Sequence, residues 1–140
     1  MNVYISVSLR QRVREHFKDC CAYCLTAEYL TVSIFECEHI IPKVAGGETV
    51  FENLCLACPT CNRYKATRQE IVDSQTGELT PIFHPQMQNW EDHFTWSADS
   101  SQIIPLTAIG RVTVDALKMN RLQLIRVRHM WVVMNEHPPK

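Results

Sequence analysis

The sequence has no segment that would anchor it in a membrane or mark it for export. No apolar run approaches the roughly 18–20 residues that a membrane-spanning helix needs. The opening residues, Met-Asn-Val-Tyr-Ile-Ser, lack the basic start, the long apolar stretch and the small-residue cleavage site of a signal peptide. We therefore expect a cytoplasmic protein without a membrane partner.

The sequence also lacks an excess of charge of one sign. Fourteen Lys and Arg residues oppose fifteen Asp and Glu residues, so the formal net charge is −1. Such a chain cannot present a uniformly basic surface to nucleic acid, although a local basic patch remains open to it. With 140 residues, 46% of them hydrophobic, the chain is long enough to bury the core of one globular domain.

Cysteine is absent after residue 61, yet the chain contains seven of them. An odd number without an export signal argues against a disulfide framework. The seven fall into two clusters with one cysteine between them: Cys20, Cys21 and Cys24, then Cys37, then Cys55, Cys58 and Cys61. In a reducing compartment, C-x-x-C spacings indicate a bound metal before they indicate redox chemistry.

Four of these cysteines have the spacing of a structural zinc site, in which two C-x-x-C turns supply four thiolates to a tetrahedral ion. The preferred ligands are Cys21, Cys24, Cys58 and Cys61. Two alternatives stay open: Cys20 with Cys24 could form the first pair, and Cys55 with Cys58 the second. We favour Cys58 and Cys61 because the Pro59-Thr60 sequence between them suits a tight turn that leads into a helix. Cys20, Cys37 and Cys55 are then expected to be packing residues.

The order of apolar, β-branched and turn-forming residues predicts an α+β fold. We expect a helix over residues 8–18 with Ser8 as its N-cap, and a strand over residues 29–42. The other predicted elements are a helix from about 60 to 72, a hairpin between 94–96 and 102–106, and helices over 112–119 and 121–135. Residues 1–77 would form a zinc-stapled core, and residues 78–140 a C-terminal hairpin and helical cap packed on it.

A second group of residues, Glu38, His39, Asn53 and Asn62, stands between and beside the cysteine pairs. Hydrolysis of a phosphodiester needs a base that activates water, a divalent ion that binds the phosphate, and a group that orients the base. An imidazole such as that of His39 suits the first role, and the oxygens of Glu38 and Asn62 suit Mg²⁺ or Mn²⁺. Neighbouring strand residues such as Glu38 and His39 point to opposite sides unless the backbone bends there.

The position of Asn62 gives the zinc site a purpose beyond stability. Asn62 directly follows Cys61, so a zinc ion bound there would fix the amide in place. The zinc would then act as a staple and not as the catalytic ion. We expect a chelator that removes it to unfold the protein.

Between Cys21 and Lys65 the sequence reads, in order, Cys-x-x-Cys, Glu-His-Ile-Ile-Pro, Gly-Gly, Glu-Asn-Leu and Cys-Pro-Thr-Cys-Asn-Arg-Tyr-Lys. This order resembles the HNH endonuclease family, whose hallmark is a ββα-metal finger, matched here by about residues 36–70. The resemblance implies that His39 is the general base and that Asn53 holds the base in orientation. It also implies that Glu38, where the family more often has Asp, and Asn62 are the ligands of the catalytic divalent ion.

The C-terminal part of the chain carries a second resemblance. Residues 78–135 resemble the C-terminal extension of small bacterial HNH proteins, through Phe-x-Pro, Trp-x-x-His-Phe-x-Trp, Leu-Thr-x-x-Gly-Arg and Leu-x-x-Asn-Arg elements. In that extension the Asn-Arg pair, here Asn120-Arg121, breaks two helices. No catalytic role follows for this half.

The resemblance implies a metal-dependent DNA endonuclease that hydrolyses phosphodiester bonds, with nicking of double-stranded DNA at low sequence specificity as its leading activity. Four thiolates and one Zn²⁺ would change the formal charge from −1 to −3, so a local patch must hold the phosphates. The expected DNA contacts are Arg63, Lys65 and Arg68, which are spaced to share a face of the helix near Asn62.

A different class of function also fits part of the sequence. A non-catalytic zinc-stapled module that binds nucleic acid or protein would keep the cysteines but would not need Glu38, His39 and Asn62 together. The apolar content of the last predicted helix also permits a homodimer.

Overall fold

The computed structural model describes residues 4–139, in which helices and short antiparallel hairpins alternate along the chain. The helices are α1 (Val7–His16), α2 (Pro59–Lys65), α3 (Trp90–His93), α4 (Ala108–Ala116) and α5 (Leu122–Val133). The strands are β1 (Glu36–His39), β2 (Leu54–Ala57), β3 (Glu70–Val72), β4 (Leu79–Pro81), β5 (Phe94–Trp96) and β6 (Ile103–Pro105). Consecutive strands pair, so the described residues form three two-stranded sheets, which confirms the α+β class. The outer limits of the expected units, residues 1 and 140, lie outside the described range.

Helix α1 has a different N-cap from the one that the sequence suggested. The hydroxyl of Ser6 accepts a hydrogen bond from the amide of Leu9 at 3.2 Å, so Ser6 is the cap and the prediction of Ser8 is wrong. The helix packs against β2 and buries Val13 completely.

The strand predicted over residues 29–42 is much shorter in the structure, where β1 begins only at Glu36. The segment before β1 is a loop that folds around Glu28. The carboxylate of Glu28 accepts hydrogen bonds from Arg14 at 2.8 Å and from the amide of Phe35 at 2.7 Å. Because this charged anchor holds both ends of the segment, its β-branched residues do not pair with another strand.

Helix α2 ends at Lys65, well before the predicted end near residue 72. Ala66 follows with φ +50°, outside the helical region, and the next residues form β3, which pairs with β4. At the turn between these strands Asp73 forms an ion pair with Arg111 of α4 at 2.8 Å. The β3–β4 hairpin, which the sequence did not suggest, is therefore tied to the C-terminal helices.

The C-terminal hairpin and helices agree with the sequence prediction in kind and order. β5 pairs with β6 as expected. α4 begins earlier than predicted because the hydroxyl of Thr107 caps it by accepting a hydrogen bond from Gly110 at 3.0 Å. Asn120 separates α4 from α5, and its side chain exchanges two hydrogen bonds of 2.8 Å with the backbone of Ile103.

One cluster of buried apolar side chains runs through the cysteine-rich segment and the C-terminal extension. The indole of Trp90 donates a hydrogen bond to the carbonyl of Tyr23 at 2.8 Å, and the amide of Gln86 donates to the carbonyl of Phe51 at 3.0 Å. These contacts join α3 and the chain before it to the segment that carries the cysteines. No helix within residues 4–139 has the length and hydrophobicity to cross a membrane.

Candidate metal centre and active site

The chain after α1 and the start of α2 bring four cysteine sulfurs together. All lie within 4.8 Å of one another, and all are buried: Cys21, Cys24, Cys58 and Cys61. The sulfurs of Cys24 and Cys58 are 3.9 Å apart, close to the ~3.8 Å that tetrahedral Zn–S bonds of about 2.3 Å impose. The donor set fits a structural zinc ion. Cys20 and Cys55, the alternative ligands, do not belong to the cluster.

The electrostatics of the cluster call for a cation among the sulfurs. Burial raises the pKa of Cys21, whereas hydrogen bonds within the cluster, that from Cys21 first, lower the pKa of Cys24. Four buried sulfurs cannot all become thiolates without positive charge, and a zinc ion supplies it at the centre of the tetrahedron.

A buried arginine supplies further positive charge near the cysteines. Arg128 of α5 is fully buried, and burial lowers its pKa to about 10, while the negative charge of Cys24 and Cys61 acts in the opposite direction. Its guanidinium donates to the carbonyl of Met119 at 2.8 Å, and its Nε has no hydrogen-bond partner within residues 4–139. No described carboxylate pairs with it, so a zinc–tetrathiolate centre with a formal charge of 2− would be its complement.

The cysteine cluster also defines where α2 begins. The sulfur of Cys58 is the N-cap and accepts a hydrogen bond from the amide of Cys61 at 3.4 Å, while Pro59 occupies the first helical position. The helix has seven residues, and isolated helices shorter than about 12–15 residues are marginal in water. The cluster and the packing around it must therefore hold α2 in place.

Glu38 lies on the buried face of β1, opposite Cys55 of β2. Its side chain is 7% exposed, and a carboxylate oxygen lies 3.7 Å from the sulfur of Cys55. Burial raises the pKa of Glu38, while the positive charge of Lys65 and hydrogen bonds from Tyr23 and Cys55 lower it. The carboxylate is thus turned into the protein, and no hydrogen bond within the described residues joins it to Asn62.

Asn62 contacts β1 through the carboxylate of Glu36 and not through that of Glu38. Its Nδ2 donates a hydrogen bond to Glu36 at 2.6 Å. Glu36 and Glu38 are two residues apart in one strand and therefore lie on the same face of it. The amide nitrogen is engaged, and within residues 4–139 Oδ1 of Asn62 has no hydrogen-bond partner, so this oxygen could meet a cation. The alternation of β1 could have drawn attention to Glu36, which the sequence analysis missed.

His39 ends β1 and is half-buried. Its Nε2 lies 2.8 Å from the hydroxyl oxygen of Thr49, in the loop between β1 and β2. The pKa of His39 is lowered from its ordinary value, first by burial and then by the positive charge of Lys43. The lowered pKa favours the neutral imidazole, which has a nitrogen that can accept a proton.

Asn53 holds the chain that follows β1 and makes no hydrogen bond to the imidazole. Its Oδ1 accepts from the amide of Ile41 at 2.8 Å, and its Nδ2 donates to the carbonyls of Ile41 at 3.0 Å and Glu48 at 2.9 Å. The carbonyl of Ile40 accepts from the ammonium of Lys65 at 2.9 Å. The two residues after the imidazole are thus fixed by the side chain of Asn53, just before β2, and by that of Lys65 in α2.

Two of the three basic residues expected to contact DNA are on the surface. Arg63 is exposed, and so is Arg68, whose guanidinium donates to the carbonyls of Tyr64 and Ala116. Lys65 is only 2% exposed and its ammonium is bonded inside the protein. The expectation that Lys65 contacts phosphate is therefore wrong, because its position on α2 turns it toward β1 and not toward solvent.

Residues 21–68 match the family model described as HNH endonuclease, over about a third of the 140-residue chain. The matched segment runs from the first cysteine of the cluster to the residues just after α2, and so includes β1, β2, α2 and all four cysteines of the cluster. No curated protein and no solved structure matches the chain.

Proposed function

We propose, on the premise that residues 21–68 form an HNH endonuclease domain, that this protein is a metal-dependent DNA endonuclease. The reaction is hydrolysis of a phosphodiester bond, and its product on double-stranded DNA is a nick. The observation that carries the proposal is the hydrogen bond between Asn62, which directly follows Cys61 of the zinc-type cluster, and Glu36 of β1, the strand that ends at the imidazole of His39.

In this mechanism His39 is the general base. The imidazole takes a proton from water, and the hydroxide oxygen forms a bond to phosphorus while the bond from phosphorus to the leaving oxygen breaks. The leaving oxygen then takes up a proton from solvent. A positioned base of this kind contributes about 10²–10⁴ to the rate of hydrolysis, so its removal is the most informative single change.

Oxygen atoms at the β1–α2 junction would hold the catalytic divalent ion, Mg²⁺ or Mn²⁺. When bound, such an ion supplies positive charge to the phosphate and to the leaving oxygen. Asn62 offers its amide oxygen there, and the resemblance assigns the carboxylate of Glu38 to the same ion. Glu36, the other carboxylate on that face of β1, supports Asn62 by accepting a hydrogen bond from its amide.

DNA is held by local charge, because the whole protein is slightly acidic. Arg63 is exposed on α2, the helix that carries Asn62, and Arg68 is exposed just after that helix ends. Contacts from such residues go to phosphates and carry no sequence information. We therefore propose low sequence specificity.

The test is a nicking assay on supercoiled plasmid with zinc-loaded protein and added Mg²⁺ or Mn²⁺. We expect nicking by the wild type and loss of at least a hundredfold in rate for His39→Ala. His129→Ala, an exposed histidine on α5, is the matched control and should nick normally. Wild-type protein that leaves the plasmid intact, or undiminished nicking by His39→Ala, would contradict the proposal. RNA and methylated duplex as parallel substrates define the substrate range.

One observation favours a second candidate, a zinc-stapled module that binds nucleic acid without cutting it. The carboxylate of Glu38 is buried against Tyr23 and Cys55 and does not face solvent. A module of this kind would bind DNA in a gel-shift assay with zinc alone, would not need Mg²⁺ or Mn²⁺, and would leave the plasmid supercoiled.

A further inference from the structure

The imidazole of His39 has one hydrogen-bond partner within the described residues, and it is a hydroxyl. Nε2 of His39 and Oγ1 of Thr49 are 2.8 Å apart. No carboxylate or backbone carbonyl within residues 4–139 bonds to either ring nitrogen. Thr49 is half-buried and lies in the loop that connects β1 to β2. The group that orients this imidazole is therefore not one of the residues that the sequence pattern singled out.

The loop holds Thr49 through its immediate neighbours. The side-chain amide of Asn53 donates to the carbonyl of Glu48, the residue directly before Thr49, at 2.9 Å. One residue earlier in the chain, the backbone amide of Gly47 donates to the carbonyl of Pro42 at 3.0 Å. The backbone on the N-terminal side of Thr49 is thus anchored to the first residues after β1.

Gly47 makes this close approach feasible. A Cβ atom at position 47 would lie 1.7 Å from the carbonyl oxygen of Ile41 and 2.9 Å from Nδ2 of Asn53. Both distances are far below a normal contact, so only glycine lets the loop lie against the chain after β1. Asn53 acts on the imidazole indirectly, by placing the loop whose hydroxyl meets it.

The direction of the hydrogen bond follows from the role of the base. A neutral imidazole carries one proton, so one ring nitrogen donates and the other accepts. If the hydroxyl of Thr49 donated to Nε2, the proton would sit on Nδ1 and neither nitrogen would be free to act. If Nε2–H donates to the hydroxyl oxygen, Nδ1 keeps a free lone pair.

We propose that Thr49 is a positioning residue, which accepts a hydrogen bond from Nε2–H of His39 and so leaves Nδ1 as the nitrogen that takes the proton from water. This inference rests on the proposed function, since it deepens the role given to His39. A threonine hydroxyl adds no negative charge beside the imidazole. It fixes the tautomer and the plane of the ring without making a charged pair with it.

The first test reads the tautomer directly and needs no nuclease activity. Long-range ¹H–¹⁵N spectra of the zinc-loaded protein, without Mg²⁺, would be recorded with ¹⁵N-labelled histidine, and the signals of His39 identified by their loss in His39→Ala. We expect the Nε2-protonated tautomer in the wild type and in Thr49→Ser, and a mixture of tautomers in Thr49→Val. An Nδ1-protonated ring in the wild type, or an unchanged spectrum in Thr49→Val, would overturn the proposal.

The second test measures single-turnover nicking. Thr49→Val, which keeps the shape of the side chain and removes the hydroxyl, should slow nicking about tenfold to a hundredfold, less than the ~10²–10⁴ that loss of the general base itself would cost. Thr49→Ser should recover the rate to within about threefold, and DNA affinity should be the same for all three proteins. Thr95→Val, at an exposed position of β5, is the matched control and should change nothing.

The two tests separate the two claims. If the wild type fails to nick DNA, the proposed function is wrong, and the spectra alone decide the hydrogen bond between Thr49 and His39. If the wild type nicks and Thr49→Val nicks as fast, with an unfolding midpoint equal to that of the wild type, the positioning role of Thr49 is wrong and the endonuclease assignment stands.

Discussion

The amide nitrogen of Asn62 lies 2.6 Å from a carboxylate oxygen of Glu36, across the gap between α2 and β1. Glu36 therefore fixes which end of the amide faces outward. An outer partner of this kind typically changes metal affinity by about 10–100-fold when it is removed. The pair links the helix that follows the cysteine cluster to the strand that ends at the imidazole.

Replacement of Glu36 should weaken the binding of the catalytic ion. We expect Glu36→Ala to lower the affinity for Mn²⁺ by about tenfold or more, measured by the electron paramagnetic resonance signal of free Mn²⁺. Glu36→Gln keeps an acceptor oxygen for the amide and should lose less. Glu70→Ala, an exposed carboxylate in β3, serves as control. Equal affinity in Glu36→Ala and the wild type would show that the pair does not serve the ion.

Loss of one zinc ligand should unfold the protein. Structural zinc sites contribute roughly 10–16 kcal/mol in apparent binding free energy, comparable with the roughly 5–15 kcal/mol that stabilises a whole domain. We therefore expect Cys58→Ser to lose both the zinc ion and its cooperative unfolding transition. Metal analysis measures the first loss, and circular dichroism measures the second. Cys37→Ser, a half-buried cysteine outside the cluster, should bind one zinc and unfold normally. A folded Cys58→Ser protein with a full complement of zinc would refute this prediction.

Lys65 should matter for stability and not for DNA affinity. In Lys65→Met the buried carbonyl of Ile40 loses its donor and Glu38 loses the nearby positive charge, so we expect the free energy of unfolding to fall by about 1–3 kcal/mol. Adding Glu38→Gln should recover part of this loss, because a neutral amide does not need the charge. Denaturant titrations of the zinc-loaded proteins measure both effects.

Arg63→Met is the comparison for Lys65→Met, because both residues lie in α2 and Arg63 is exposed. It should leave the free energy of unfolding within about 0.5 kcal/mol of the wild type. If Arg63 contacts a phosphate, the slope of log affinity against log salt should fall by about one. A stability loss in Arg63→Met equal to that in Lys65→Met would count against the buried role of Lys65.

Replacement of Lys43 should shift the pH at which nicking is lost on the acid side. Its positive charge helps to lower the pKa of His39, and burial is the larger cause. In Lys43→Gln the imidazolium loses an unfavourable neighbour, so the pKa rises and a higher pH is needed to keep the base neutral. The loss of activity on the acid side should therefore begin at a higher pH than in the wild type. Lys18→Gln, at an exposed position two residues beyond the end of α1, should leave the pH profile unchanged.

The cysteine cluster could be predicted from sequence because metal ligands follow a spacing rule. Two short C-x-x-C turns contain the four ligands, Cys21, Cys24, Cys58 and Cys61. The tetrahedral geometry of a zinc site leaves few other choices of cysteine. The C-terminal hairpin was also predictable, since β5 and the first two residues of β6 are β-branched or aromatic and stand on either side of a polar turn.

The end of α2 could not be predicted in the same way. The chain leaves the helix at Ala66, a good helix former, with φ +50° and no glycine or proline to mark the position. Tertiary contacts override local preference there, because β3 pairs with β4.

The side-chain contacts of the site could not be predicted from sequence patterns, because they also depend on tertiary structure. Thr49 meets His39 across a loop whose path depends on Asn53 and Gly47 together.

The seven-residue length of α2 has a consequence for how the protein matures. A newly made chain without zinc has little to hold so short a helix, so Asn62 and Lys65 would have no fixed relation to β1. Under the proposed function, the metals would load in order: the sulfur-binding ion first, and the oxygen-binding ion only into the site that the first has assembled. A cell starved of zinc would then accumulate an inactive polypeptide even when magnesium is abundant.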